Sequence, residues 1–172
     1  MSCNKTLFTT LSRYNQWQNR RLYGSCATLS DNQRKENRQA FFHSIHGTLN
    51  HLLLADRLWL GRFSVDPFPV TTLNQELYSD FERLRREREV TDRAICDWID
   101  GLDAAQLDGF LDYTSVMSKH RHRLRLADIL LHFFNHQTHH RGQLTTLLSQ
   151  VGVDYGVTDL LWLPGLEAGE NY

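Results

Sequence analysis

The segment FFNHQTHHRGQ, residues 133–143, carries His136, His139 and His140 within five positions. Imidazole is a costly filler for a helix interior, because both ring nitrogens need partners once water is removed. On a helix, residues four apart lie on one face, so His136 and His140 can aim at one point in the manner of a bidentate metal clamp. His132 extends the same ridge, whereas His139 lies roughly 100° round from His140 and cannot easily share its target. Two ligands do not make a centre, since a catalytic zinc-like ion takes three protein ligands and keeps one position open. The third must come from another helix.

The stretch HSIHGTLNHLLLAD offers His43, His46 and His51. His51 sits in the apolar middle of its helix and the other two nearer the start, so His51 is the candidate that faces a helical interior. His120 and His122, in SKHRHRLRL, read as solvated. In a chain of nine histidines a pair four apart also arises by chance. On spacing alone, hydrogen-bonded core histidines and a metal clamp explain it equally well. A His-Glu-x-x-His protease helix would have a glutamate general base where this chain has Gln137, which cannot take a proton; hydrolysis of that type is disfavoured.

Four apolar stripes of helical period must position these residues. The first runs over 7–29 and is closed by the polar run SDNQRKENRQ. The second covers Phe41 to Phe63 and the third Leu73 to Ile99, the latter with Leu77, Phe81, Leu84, Arg88, Thr91, Ile95 and Trp98 near heptad register. The fourth, Leu126 to Gln150, carries the opening motif and stops at Gly152. Between the third and fourth, alternation and turn residues predict a short helical turn and then a small hairpin within FLDYTSVMSKHRHRLRL. The tail reads as a loop with one short turn and disordered last residues. Four helices with unequal connections describe an all-α four-helix bundle, one domain over residues 1–172.

Lesser features have blander readings. In YNQWQN, Trp17 is expected as a core anchor, with Asn15 and Asn19 at a helix surface or pocket wall. Trp59 reads as core, RLRRERE as a solvated helix face, and Asp56 as too far round from His51 to support it. Arg141 and Gln143 either orient the histidine helix or line a subunit face.

Nineteen basic and twenty acidic residues leave a net charge of −1, which gives no general attraction for nucleic acid or anionic lipid. Three scattered cysteines, Cys3, Cys26 and Cys96, exclude a disulfide framework. Without a signal-like or spanning apolar run, a cytoplasmic protein with no membrane contact is expected.

RYNQWQNRRLY, FFHSIHGTLNHLLLADRLWLGRF and LLHFFNHQTHHRGQLTTLLSQVGV together resemble the damage-inducible DinB family of the DinB/YfiT superfamily, over about residues 5–163. The resemblance implies a four-helix bundle with an up-up-down-down crossover, a homodimer, and a divalent ion held by His51, His136 and His140. Nickel or zinc is the implied ion, with iron or manganese as further choices. It also implies metal-dependent chemistry on a small-molecule substrate: transfer of a low-molecular-weight thiol to an electrophile, with hydrolysis or stress-associated binding of metal or ligand without turnover as alternatives. The segment at 115–123, SVMSKHRHR, departs from the family's usual turn, so substrate identity is not carried across.

Overall fold

The computed structural model describes residues 3–166. The expected disordered end, at 167–172, lies outside them. The described chain is mostly helical: α1 (Cys3–Ala27), α2 (Asp31–Lys35), α3 (Ile45–Phe63), α4 (Phe81–Gly101) and α5 (Leu126–Gln150), with a two-stranded sheet of β1 (Phe110–Thr114) and β2 (Arg121–Arg125) between α4 and α5.

Several boundaries move for local reasons. The run after α1 contains α2, nucleated by a capping box between Ser30 and Gln33. Arg34 of α2 donates to the carbonyl of Cys26 in the last turn of α1 and to that of Leu29 just beyond it. α3 starts at Ile45 rather than Phe41, because the Ser44 hydroxyl caps the Gly47 amide at 3.0 Å. The preceding turn holds Gln39 and His43 at positive φ. Gly47 lets that turn approach closely: a Cβ there would lie 2.1 Å from the Phe42 carbonyl oxygen.

α4 starts at Phe81, with Asp80 accepting from the Arg83 amide at 2.7 Å, so the expected helix over 73–80 is absent. Side chains of α3 compete for that segment. Asn50 Oδ1 accepts from the amides of Leu77 (2.8 Å) and Tyr78 (3.0 Å), its Nδ2 donates to the Tyr78 carbonyl at 3.1 Å, and His51 takes the Leu73 carbonyl. Leu73 and Leu77 continue the apolar stripe, but their backbone is committed elsewhere.

Helix direction follows from which ends share a core. Leu22 and Tyr23 near the end of α1 pack with Ile45 and Leu49 of α3, Phe81 and Leu84 of α4, and Leu144 and Leu148 near the end of α5. A second cluster joins Phe8 of early α1 to Trp59, Ile99 and Phe133, from late α3, late α4 and early α5. α1 and α5 therefore run one way and α3 and α4 the other. The order is up-down-down-up, which corrects the up-up-down-down expectation. It requires residues 64–80 to return along α3, a helix ~28 Å long; the connection, with Pro67 and Pro69, can reach up to ~56 Å when extended. The most extensive contacts between the long helices follow the ring α1–α4–α3–α5.

Between the apolar clusters lies a polar layer. Arg88 donates to Asp56 at 2.6 Å and pairs with Asp92 at 2.9 Å, all three nearly inaccessible. Asp92 accepts from Asn19 (2.9 Å) and Asn15 (3.3 Å), and Asn15 accepts from Arg141. Burial works against the charge on Arg88, but Asp92 and Asp56 overcome it and raise its pKa. Two expectations are corrected here. Arg88 leaves the solvated face of RLRRERE for the interior, and Trp17 is only half-buried, beneath the Arg21 guanidinium; Asn15 and Asn19 are buried, Asn19 in the wall of a cleft between α1 and α4, which accords with the pocket-wall reading. Trp59 is core as expected.

The hairpin forms where alternation placed it, with Phe110 opposite Arg125 and Thr114 opposite Arg121. His120 is exposed as expected, while His122 is half-buried: it stacks on Tyr113 at 5.2 Å, and Tyr113 packs against Trp59 at 5.1 Å. In the tail, a 3₁₀ turn at Leu160–Trp162 is the predicted short turn. The segment before it is strapped to α1, with Tyr14 donating to the Thr158 carbonyl at 2.5 Å and Arg21 to Val157 at 3.0 Å.

Candidate metal centre

α3 and α5 run antiparallel, which brings His51 opposite the His136–His140 face. His136 Nε2 lies 3.4 Å from His51 Nε2 and 3.1 Å from His140 Nε2. One nitrogen from each ring falls within 4.8 Å of the other two. Nitrogens about 2.0–2.1 Å from a tetrahedral ion are separated by about 3.3 Å. The two measured separations bracket that spacing.

The second nitrogens decide which lone pairs are free. His51 Nδ1 is 2.8 Å from the Leu73 carbonyl oxygen, and His140 Nδ1 is 2.7 Å from Gln143 Oε1. A carbonyl oxygen only accepts, so both Nδ1 atoms carry the proton and both Nε2 atoms present a lone pair to the common point. Burial pushes His51 down to about 4, against the opposing Leu73 hydrogen bond. It pushes His136 down to about 3, with the neighbouring His140 and His51 adding to the effect. Burial likewise lowers His140. All three are neutral at pH 7, the state a metal requires. His51 and His140 thus bring two Nε2 lone pairs to 3.4 and 3.1 Å from His136 Nε2, a donor set that fits a divalent ion.

Phe42 lies over the triad, its ring stacked on His51 at 3.8 Å and edge-on to His140 at 5.4 Å. The turn at 39–43 and its cradle at Gly47 serve to place this ring. A cleft of about 300 Å³ opens alongside, walled by Phe42, His43, His46, His51, Asn74 and Glu76. Another, of about 230 Å³, lies between α1 and α4, with Arg20, Arg85 and Arg93 around the buried Arg88–Asp92 pair. It holds none of the three histidines.

The remaining histidines fall outside the group. His46 is buried but donates Nε2–H to the Tyr78 carbonyl at 2.8 Å, His43 is exposed, and the His132 ring is 5.9 Å from that of His136. His139 is exposed and 3.4 Å from Gln143 Nε2. Gln137 points into the core, with neither amide atom hydrogen-bonded.

A sequence model of the DinB family matches residues 1–171. The chain belongs to the DinB family. It is similar to Protein DinB of Bacillus subtilis (strain 168), 25% identical over 158 residues that cover 87% of this chain and 88% of that protein. For a family member read from its sequence, the three ligand candidates were accessible through spacing. Their supports were less so. The Leu73 carbonyl carries no side-chain signal, and Phe42 looked like one more apolar helix position. Arg88 did leave a trace, as a charged residue in a core register.

Proposed function

We propose that this chain is a divalent-metal protein in which His51, His136 and His140 hold the ion, within a four-helix bundle that functions as a cytoplasmic homodimer. The observation that carries this reading is the convergence of three neutral imidazoles through Nε2, two of them fixed by hydrogen bonds at Nδ1. Nickel or zinc is the ion proposed, since imidazole suits both; iron and manganese are the further choices.

The reaction proposed is transfer of a low-molecular-weight thiol to a small electrophile. A divalent ion with neutral ligands would polarise a thiol or water entering its open position and make it a nucleophile near neutral pH. The chain's own residues favour the thiol. Among the described residues the ligand group is histidine alone. Gln137 cannot accept a proton, and Asp56 is spoken for by Arg88. A thiol, already far more acidic than water, needs no strong base. His51, His136 and His140 orient the centre, and Phe42 shields one side of it from water.

The test mixes nickel- or zinc-loaded protein with a panel of low-molecular-weight thiols and a chromogenic electrophile, with His51→Ala as control. A rate above background that depends on thiol concentration and vanishes in the variant is expected. No rate with any thiol, and no change in the visible spectrum of cobalt-substituted protein on adding one, would sink thiol transfer and leave hydrolysis or non-catalytic binding. The dimer is tested by light scattering at micromolar concentration, where about twice the 20.2 kDa chain mass is expected. A mass near that of one chain contradicts it.

A further inference from the structure

Gln143 lies three residues after His140 and four after His139, so its amide can reach both rings from one side of α5. Its Oε1 accepts from His140 Nδ1 at 2.7 Å, while its Nε2 lies 3.4 Å from His139 Nε2. The two ends of an amide differ: one oxygen accepts and one nitrogen donates. Turned over, the same side chain would offer N–H to His140 Nδ1. That ring would then carry its proton on Nε2, the atom that faces His51 and His136, and could not bind a metal. We infer that Gln143 is the positioning residue that sets the His140 tautomer, and that His139, as acceptor for the Gln143 amide N–H, sets which way Gln143 faces. The relay runs His139 to Gln143 to His140 and lies wholly on α5. It gives His139, the exposed middle histidine of NHQTHHRGQ, a role outside the ligand set. The inference rests on reading the triad as a metal centre, but its tautomer step concerns the metal-free protein and can be measured there.

The relay separates the residues by size of effect. Gln143→Ala removes the acceptor, and loss of such an outer hydrogen bond costs roughly ten- to a hundredfold in metal affinity. Gln143→Glu keeps an acceptor and has no wrong end, so it should bind zinc within about threefold of wild type or tighter. His139→Ala only frees the amide to turn; if half the molecules face the wrong way, affinity falls about twofold. That fall should vanish in the Gln143→Glu background, where the two carboxylate oxygens are equivalent. The experiment measures zinc affinity by competition for the wild type, the three single variants and the double variant. Long-range ¹H–¹⁵N spectra of the metal-free proteins report the His140 tautomer. Nδ1–H in wild type and Gln143→Glu, with loss of that preference in Gln143→Ala, is the expected result. Gln143→Ala that keeps both the tautomer and the affinity overturns the inference, as does Gln143→Glu behaving like Gln143→Ala. An equal His139→Ala effect in both backgrounds removes His139 from the relay. Wild type that takes up no zinc refutes the metal reading, and the tautomer spectra still decide the role of Gln143.

Discussion

His136→Ala is expected to weaken divalent-ion binding by two to three orders of magnitude, and His140→Ala and His51→Ala by nearly as much. A structural zinc site binds with about 10–16 kcal/mol over four ligands, or about 2.5–4 kcal/mol per ligand. His136 should show the largest loss, because its Nε2 is the atom both other rings approach, at 3.1 and 3.4 Å. Titration calorimetry with zinc or nickel measures this; affinities within threefold of wild type in all three variants would mean the nitrogens hold no ion.

The same substitution should act differently on the metal-free fold. Burial lowers His51 and His136 far below the usual histidine value, so between about pH 4 and 6.5 the unfolded chain binds more protons than the folded one. Metal-free wild type therefore has its full stability above about 6.5 and loses it as pH falls towards 4. His136→Ala deletes the most depressed of these groups and should lose less over that interval. Urea titrations at pH 7.5 and 5 supply the comparison.

The second large effect belongs to the polar layer. Arg88→Met is expected to destabilise the protein by about 3–5 kcal/mol, because it strands two buried carboxylates whose counter-charge is gone. For a domain of this size that is a fall in Tm of about 6–20 °C. Replacing Arg88, Asp56 and Asp92 together by apolar residues should recover most of the loss, since the cost lies in the unpaired charge rather than in the absent ion pair. Denaturant unfolding decides it, and a single-variant loss under about 1 kcal/mol would show that the layer is not where the helices depend on one another.

The contrast between these two sites explains what could be read from sequence. The triad was legible because an i, i+4 pair has one geometric meaning on a helix and because one histidine of α3 lies deep in an apolar run. The hairpin was legible because its alternation differs in period from everything around it. Helix direction was not, because it turns on residues 64–80. Leu73 and Leu77 extend the apolar period of α4, while the hydrogen bonds that unwind them come from Asn50 and His51, more than twenty residues earlier. Period reports which side chains are buried, and it is silent on where a backbone amide finds its acceptor. The burial of Asn15 and of Arg88 was harder to read for a related reason: polarity predicts exposure until a hydrogen-bonding or oppositely charged partner makes burial tolerable.

His140 takes its support from Gln143 on its own helix, whereas His51 takes its support from the carbonyl of Leu73, in the long return connection. The two halves of the centre therefore differ in autonomy. His136, His140 and Gln143 keep their mutual geometry for as long as α5 exists, however the rest of the chain breathes. The His51 Nδ1 hydrogen bond, by contrast, needs residues 64–80 to lie against α3. A disturbance of that connection would therefore reach the donor set through His51 and leave the pair on α5 as it is.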